Sequence, residues 1–215
     1  MSWLCAAPCS VLICREKKTL GANERDEEQR LRWLAKVFCL DSNKLVFVDE
    51  SGFHLAMTPS YARAPKGERA YGQVPRNRGE NTSFLAALSL NGLQAPMTLQ
   101  GSVDGLAFET YLEQVLAPTL TPGQIVVLDN HRIHKGRKVA ELLAAHGCSL
   151  LFLPPYSPDL NPIEEALSKV KTFVKACQAR ARDTLNQAIA AALKTISLQD
   201  ILGWFGHSGY NLRYQ

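Results

Sequence analysis

Three short apolar runs, each closing on a carboxylate or a proline-rich turn, constrain this chain more than any other feature. Asp49 ends LVFVDE, Asp129 ends QIVVLDN, and Glu164 lies in LPPYSPDLNPIEEA, just after SLLFLPP. Runs of β-branched and aromatic residues between turn signals read as buried strands. Strands apolar on both faces need a sheet covered by other elements. An Asp in so apolar a strand is costly unless it is paired or binds metal. Between Asp129 and Glu164 lie 34 residues, 130 to 163. Acidic residues at strand ends and on a helix start can hold two divalent cations, and such a pair catalyses in-line attack on a phosphodiester.

The rest of the chain supplies the covering elements. Residues 24–39 are charged, then amphipathic, with Leu31, Leu34 and Val37 or Phe38 at helical spacing; this predicts a linker helix. Residues 44–53 form the first strand, and 57–80, rich in Pro, Gly and Arg, a loop or ragged hairpin. NTSFLAALSL and LQAPMTLQGSV flank Asn91-Gly92, a strong hairpin signal. Leu93, Ala95, Met97 and Leu99 then alternate as in a half-buried strand. LAFETYLEQVLAPTL predicts a helix with Phe108, Tyr111, Leu112, Val115 and Leu116 on one face, stopped by Pro118 and Pro122. Strands follow at 124–130 and 149–153, with a helix over 136–146 between them. Helices from Asn161 to about Ala181, from Asp183 to Ile196 and over about 198–205 complete the order. A front hairpin with parallel crossovers behind gives a mixed α/β sheet flanked by helices.

Composition narrows the class only slightly. The 215 residues are 46% hydrophobic, enough for one domain with a sizeable core. A net charge of +4 is weak evidence for a nucleic-acid partner. Cys5, Cys9, Cys14, Cys39, Cys148 and Cys177 contain no CxxC pair, which favours reduced intracellular thiols. A zinc site at Cys5, Cys9 and Cys14 is a weak signal. The apolar residues 1–14 are interrupted by Pro8 and have their basic cluster, Arg15, Lys17 and Lys18, on the wrong side for a signal peptide. No other stretch reaches the length of a membrane span, so a soluble, cytoplasmic protein is expected.

VFVDESGF, VVLDNHRIH and PPYSPDLNPIEE together resemble the catalytic domain of DDE transposases of the mariner-related bacterial insertion-sequence group. The resemblance runs from about Lys44 to Tyr210. It implies a ribonuclease H-like fold over 44–210, preceded by an unplaced segment and linker helix over 1–43. It further implies Asp49, Asp129 and Glu164 as catalytic ligands of two Mg2+ or Mn2+ ions. DNA is then the partner, the ends of a mobile element and its target, with room for a homodimer and a bacterial, nucleoid-associated location. The helix-turn-helix region of such proteins has no counterpart in the residues before the first strand, where 14–30 resemble a linker. A truncated copy or a second reading frame would each explain that.

Each carboxylate has a structural alternative. Asp49 can cap the turn at Ser51-Gly52, and Glu50 points to the opposite face of the strand. Asp129 can be an Asp-Asn turn residue, with Asn130 orienting it or contacting phosphate. The family pattern favours His134 over His131 as a supporting residue. Asn161, Pro162 and Glu164 read as N-cap, N1 and N3 of a helix, close to a capping box worth about 1 kcal/mol. Glu165 is the rival ligand one helical step away. Glu164, Ser168, Lys171 and Lys175 share a helix face, and Arg63, Lys66, Arg69, Arg76 and Arg78 crowd one loop with Tyr61 and Tyr71. Both groups suit DNA binding, or are ordinary solvated faces. An inactive, DNA-binding remnant and a ribonuclease H-like nuclease on another nucleic acid are the rival readings.

Overall fold

The computed structural model describes residues 23–210, so the amino-terminal cysteines and the 1–14 apolar segment lie outside the described residues. Five strands form one sheet in the order β3-β2-β1-β4-β5. They are β1 (Leu45–Phe53), β2 (Thr82–Ser89), β3 (Gly92–Gln100), β4 (Ile125–Leu128) and β5 (Ser149–Phe152). β1 is the middle strand. It pairs antiparallel with β2 and parallel with β4, and β4 pairs parallel with β5. The helices are α1 (Glu27–Phe38), α2 (Gly105–Tyr111), α3 (Arg137–Ala145), α4 (Pro162–Cys177), α5 (Arg182–Leu193) and α6 (Leu198–His207).

Alternation along the strands sorts the apolar residues into two cores. Leu45 and Phe47 of β1 face α1, α4, α5 and α6, together with Val127, Ile163, Leu167, Val170, Ile189 and Phe205. Val46 and Val48 face α2 and α3, with Phe108, Tyr111, Val126, Leu128, Val139 and Leu143. Phe47, Phe205 and Tyr210 stack edge to face at 4.9–5.8 Å, each pair worth about 0.5–1.5 kcal/mol beyond its buried area. The parity matters for function: Asp49 continues the Leu45-Phe47 series and so faces the side of α4.

Four details differ from the expected elements. Helix α1 buries Arg30, Trp33 and Val37, while Leu31 and Phe38 stay exposed. A flat wheel cannot choose between two adjacent stripes; the sheet-facing Trp33 and the ion pair of Arg30 decide it. In β3, Ala95 adopts a φ of 51° and the register slips between Leu85 and Ala87, so Ala95 and Pro96 oppose Ala86 alone. This bulge switches faces: Leu93 packs on the α4 side, Ala95 and Met97 on the α2 side. The helix over 106–120 is α2, then a π turn Leu112–Leu116, then a 3-10 turn Ala117–Thr119. Pro118 has no N–H for the α ladder, and the turn rewinds before it. Finally, α4 stops at Cys177 because Gln178 is left-handed (φ 48°). That break frees Arg180 to donate to the carbonyls of Leu55 and Met57. The loop between β1 and β2 is irregular and exposed from Ser60 to Asn81. Among the described residues no helix is long and apolar enough to cross a membrane.

Candidate active site

The parallel pairing of β1 with β4 sets the first two carboxylates side by side. Leu45 lies opposite Ile125, Val46 opposite Val126 and Phe47 opposite Val127. Counting on four residues from Leu45 and Ile125 brings Asp49 level with Asp129. β5 leaves the same edge of the sheet, and the chain 153–161 folds back over it to start α4. Sites in such sheets gather outside the carboxyl ends of the strands. Here Asp49, Asp129, Asn130, His131, Lys135, Tyr156, Asn161 and Glu164 line one cavity of about 510 Å³.

Asp49 is the strained member. Burial, the charge of Glu164 and the charges of Asp129 and Glu50 push its carboxyl up to about 7, against the pull of the Glu50 N–H. Its Oδ1 accepts from Glu50 N at 2.7 Å and its Oδ2 from Asn161 Nδ2 at 2.9 Å. Glu50 itself is engaged elsewhere, with Ser83 Oγ 2.9 Å from its Oε1. Asp129 is the settled member. Burial raises its carboxyl, but the hydrogen bonds from His134 and from His131 N–H outweigh this and hold it below the usual range. His134 is buried against the Phe108 ring, with centroids 4.3 Å apart, and its Nδ1 lies 2.6 Å from Asp129 Oδ1. A carboxylate only accepts, so Nδ1 carries the hydrogen. His131 contributes its backbone N–H to the same oxygen at 3.0 Å.

Glu164 and Glu165 separate clearly. Glu164 is exposed to the cavity, whereas Glu165 pairs with His207 and lines a different groove with Lys169 and Thr195. The capping box expected at this helix start does not form. Asn161 makes no side-chain cap bond; its amide turns away from α4 to Asp49. The Nδ2 donates to a carboxyl oxygen, while the Oδ1 that would accept at a cap is left without a partner. The sequence marks Asn161 as a helix cap rather than as a partner of Asp49, and nothing in it points to Lys135. Tyr156, within the PPYSPDLNPIEE motif but not singled out there, is held at a φ of 53° and is 58% exposed in the same cavity.

The cations expected to bind DNA lie outside this cavity, unlike Lys135. Arg63, Lys66, Arg69, Arg76 and Arg78 project from the exposed β1–β2 loop, and Lys171 and Lys175 are half-buried on α4. The two groups meet at His54, whose imidazole is held below its ordinary value by burial and by Arg78 and Lys175.

The donor chemistry suits a hard cation: three carboxylates, with the amide oxygen of Asn161 buried and lacking a hydrogen-bond partner. Like charges close enough to raise Asp49 are what a bound cation relieves. The carboxylates share the cavity without converging on one point, for among the described residues no three Asp, Glu, His or Cys side chains are gathered as a single ion's shell would need.

A mixed five-stranded sheet between two helix layers, with carboxylates gathered at one edge, is a ribonuclease H-like domain. Residues 44–186 match the DDE superfamily endonuclease family, and the chain belongs to it. It is 29% identical to the transposable element Tcb2 transposase of Caenorhabditis briggsae across 62% of this chain, and 25% identical to the Tcb1 transposase of the same organism across 71%. It spans 53% and 60% of those two relatives, so little more than half of each. Among solved structures, the Mos1 strand transfer complex superposes with a TM-score of 0.68 at 17% identity, covering 90% of this chain and 63% of that one. The catalytic domain of Mos1 mariner transposase alone gives 0.61 at 14%, covering 87% and 91%. At these identities the structural likeness shows the fold.

Proposed function

We propose that this chain is the catalytic domain of a DNA transposase that cleaves the ends of a mobile element and joins them to target DNA. In this reading Asp49, Asp129 and Glu164 hold two divalent cations, Mg2+ or Mn2+. The observation that carries it is the meeting of three carboxylates, from β1, from the end of β4 and from the first turn of α4, in one cavity where Asp49 is kept short of full ionisation. Solved Mos1 complexes with Mg and with Mn are relatives in fold, and the curated relatives are transposases. The chemistry that bound cations supply is activation of the attacking oxygen and stabilisation of the leaving oxygen in an in-line displacement at phosphorus.

The residues of the chain divide the remaining work. His134 fixes the plane of Asp129 and keeps it ionised by donating Nδ1–H. Asn161 orients Asp49 and leaves its own amide oxygen available beside it. Glu164 lies in the first turn of α4, at the positive end of the helix, and faces the cavity. Lys135 at the cavity and the cations of the β1–β2 loop and of α4 attract the phosphate backbone. Tyr156 offers an exposed ring for stacking on an unpaired base. The same site can use water first and a DNA 3′-hydroxyl afterwards, so no covalent protein intermediate is needed.

The test is a nicking and strand-joining assay on duplex DNA, RNA–DNA hybrid and RNA with Mg2+ or Mn2+. Cleavage of duplex DNA that disappears with chelator and with Asp49→Asn is the expected result. Preference for hybrid or RNA would move the chain to another ribonuclease H-like activity. Absence of metal-dependent cleavage on every substrate would leave only a DNA-binding role.

A further inference from the structure

A chain of contacts runs from helix α1 to Asp49. Arg30 is only 5% exposed although its helix lies on the surface. Its guanidinium forks onto Asp159, Nη1 to Oδ1 at 3.0 Å and Nη2 to Oδ2 at 2.6 Å. Arg25 adds a second cation 3.7 Å from Oδ2. Asp159 belongs to the one-turn 3-10 helix Pro158–Leu160, closed by Leu160 N–H to Ser157 O and Asn161 N–H to Pro158 O. The buried hydroxyl of Tyr210 pins the other side of that turn by donating to Leu160 O at 2.5 Å. The next residue is Asn161, 3% exposed, whose amide donates to Asp49. One ion pair, two residues of turn and one hydrogen bond therefore join Arg30 to Asp49.

The turn needs such an anchor because Asn161 has a competing position. An Asn before a helix ordinarily caps it, accepting from the first free N–H groups. In that rotamer its amide oxygen would be satisfied and Asp49 would keep only the Glu50 N–H. The observed rotamer leaves that oxygen buried and unpartnered, so the Asp49 contact is kept at a cost that a firmly anchored turn offsets.

We propose that Arg30 is a positioning residue for Asp49, acting through Asp159 and Asn161, so that helix α1 is a working part of the site although it precedes the family-matched span 44–186. The catalytic consequence rests on the reading of Asp49 as a metal ligand; the positioning itself does not.

The experiment measures hydrogen exchange of the Asn161 side-chain amide by NMR in the metal-free protein, assigned by its loss in Asn161→Ala. Arg30→Gln and Asp159→Asn should each speed that exchange about tenfold, the worth of one net hydrogen bond. The double variant should add nothing more, because both remove one linkage. Arg30→Lys keeps the charge without the fork and should fall between; it and Asp159→Asn decide the matter should Arg30→Gln not fold. Arg180→Gln breaks an arginine cross-link of the same kind elsewhere and should leave Asn161 unchanged. In folded Arg30→Gln, Mn2+ affinity should drop about 10- to 100-fold, and kcat should fall at unchanged KM for DNA. A merely structural Arg30 would lower the melting temperature and leave amide exchange and Mn2+ affinity alone, which would overturn the proposal. Failure of the parent to bind Mn2+ would overturn the metal reading; faster Asn161 exchange in Arg30→Gln would still support the positioning role.

Discussion

Asp49→Asn should make the metal-free protein more stable near neutral pH while abolishing its chemistry. The folded protein raises the Asp49 carboxyl from 3.8 to about 7. Between those values the folded state binds a proton that the unfolded chain has released, so stability falls as pH rises through this window. A full shift of that size corresponds to about 4 kcal/mol, lost by the time pH passes about 7. Asn removes the titration and the repulsion from Glu164 and Asp129 together. Its single side-chain oxygen can keep the Glu50 N–H bond, while its NH2 replaces the oxygen that accepts from Asn161 and is matched only if the Asn161 amide flips to present its unpartnered oxygen. Urea unfolding in chelator, at several pH values between about 4 and about 8, should give parent and variant similar stability at the acid end. At the alkaline end they should differ by up to about 4 kcal/mol. Added Mn2+ should narrow that gap, and should close it only above about 1,000 times Kd, where a ligand contributes about 4.1 kcal/mol. A ligand at about 100 times its Kd stabilises the state that binds it by about 2.7 kcal/mol, and the variant has lost a hard anionic donor. Equal pH dependence of parent and variant in chelator would refute the account of Asp49 as a buried carboxylate strained by its neighbours.

Glu164→Gln should abolish metal-dependent nicking with little change in folding, while Glu165→Gln should nick like the parent because Glu165 pairs with His207 outside the cavity; the reverse pattern would exchange their roles. His134→Ala should weaken Mn2+ binding about 10- to 100-fold by freeing Asp129, read by direct metal titration, and an unchanged affinity would make the Asp129 contact incidental. Neutralising Lys171 and Lys175 together should flatten the slope of log affinity against log salt on duplex DNA by about two, at about 0.9 per phosphate contact. Parallel salt titrations of parent and double variant would show whether that ridge faces DNA or solvent.

The local order of elements was legible in the sequence because it depends on local periodicity. The runs ending at Asp49 and Asp129, the hairpin near Asn91-Gly92 and the helix after Asn161 all follow from side-chain pattern and turn chemistry within about ten residues. The three carboxylates and His134 were legible through motif resemblance, and the opposed directions of Asp49 and Glu50 through strand alternation. What the sequence could not specify were contacts between residues far apart in the chain. The reach of Asn161 to Asp49 spans 112 positions, and that of Arg30 to Asp159 spans 129. Asn161 read locally as a cap because local spacing has no knowledge of a buried carboxylate waiting across the sheet. The stripe of α1 and the switch of faces at Ala95 went the same way: each was decided by what packs against it. The sequence determined which chemical groups the chain carries and on which elements. Only the tertiary structure, by closing long loops around one sheet edge, decided which of them lie within hydrogen-bonding distance.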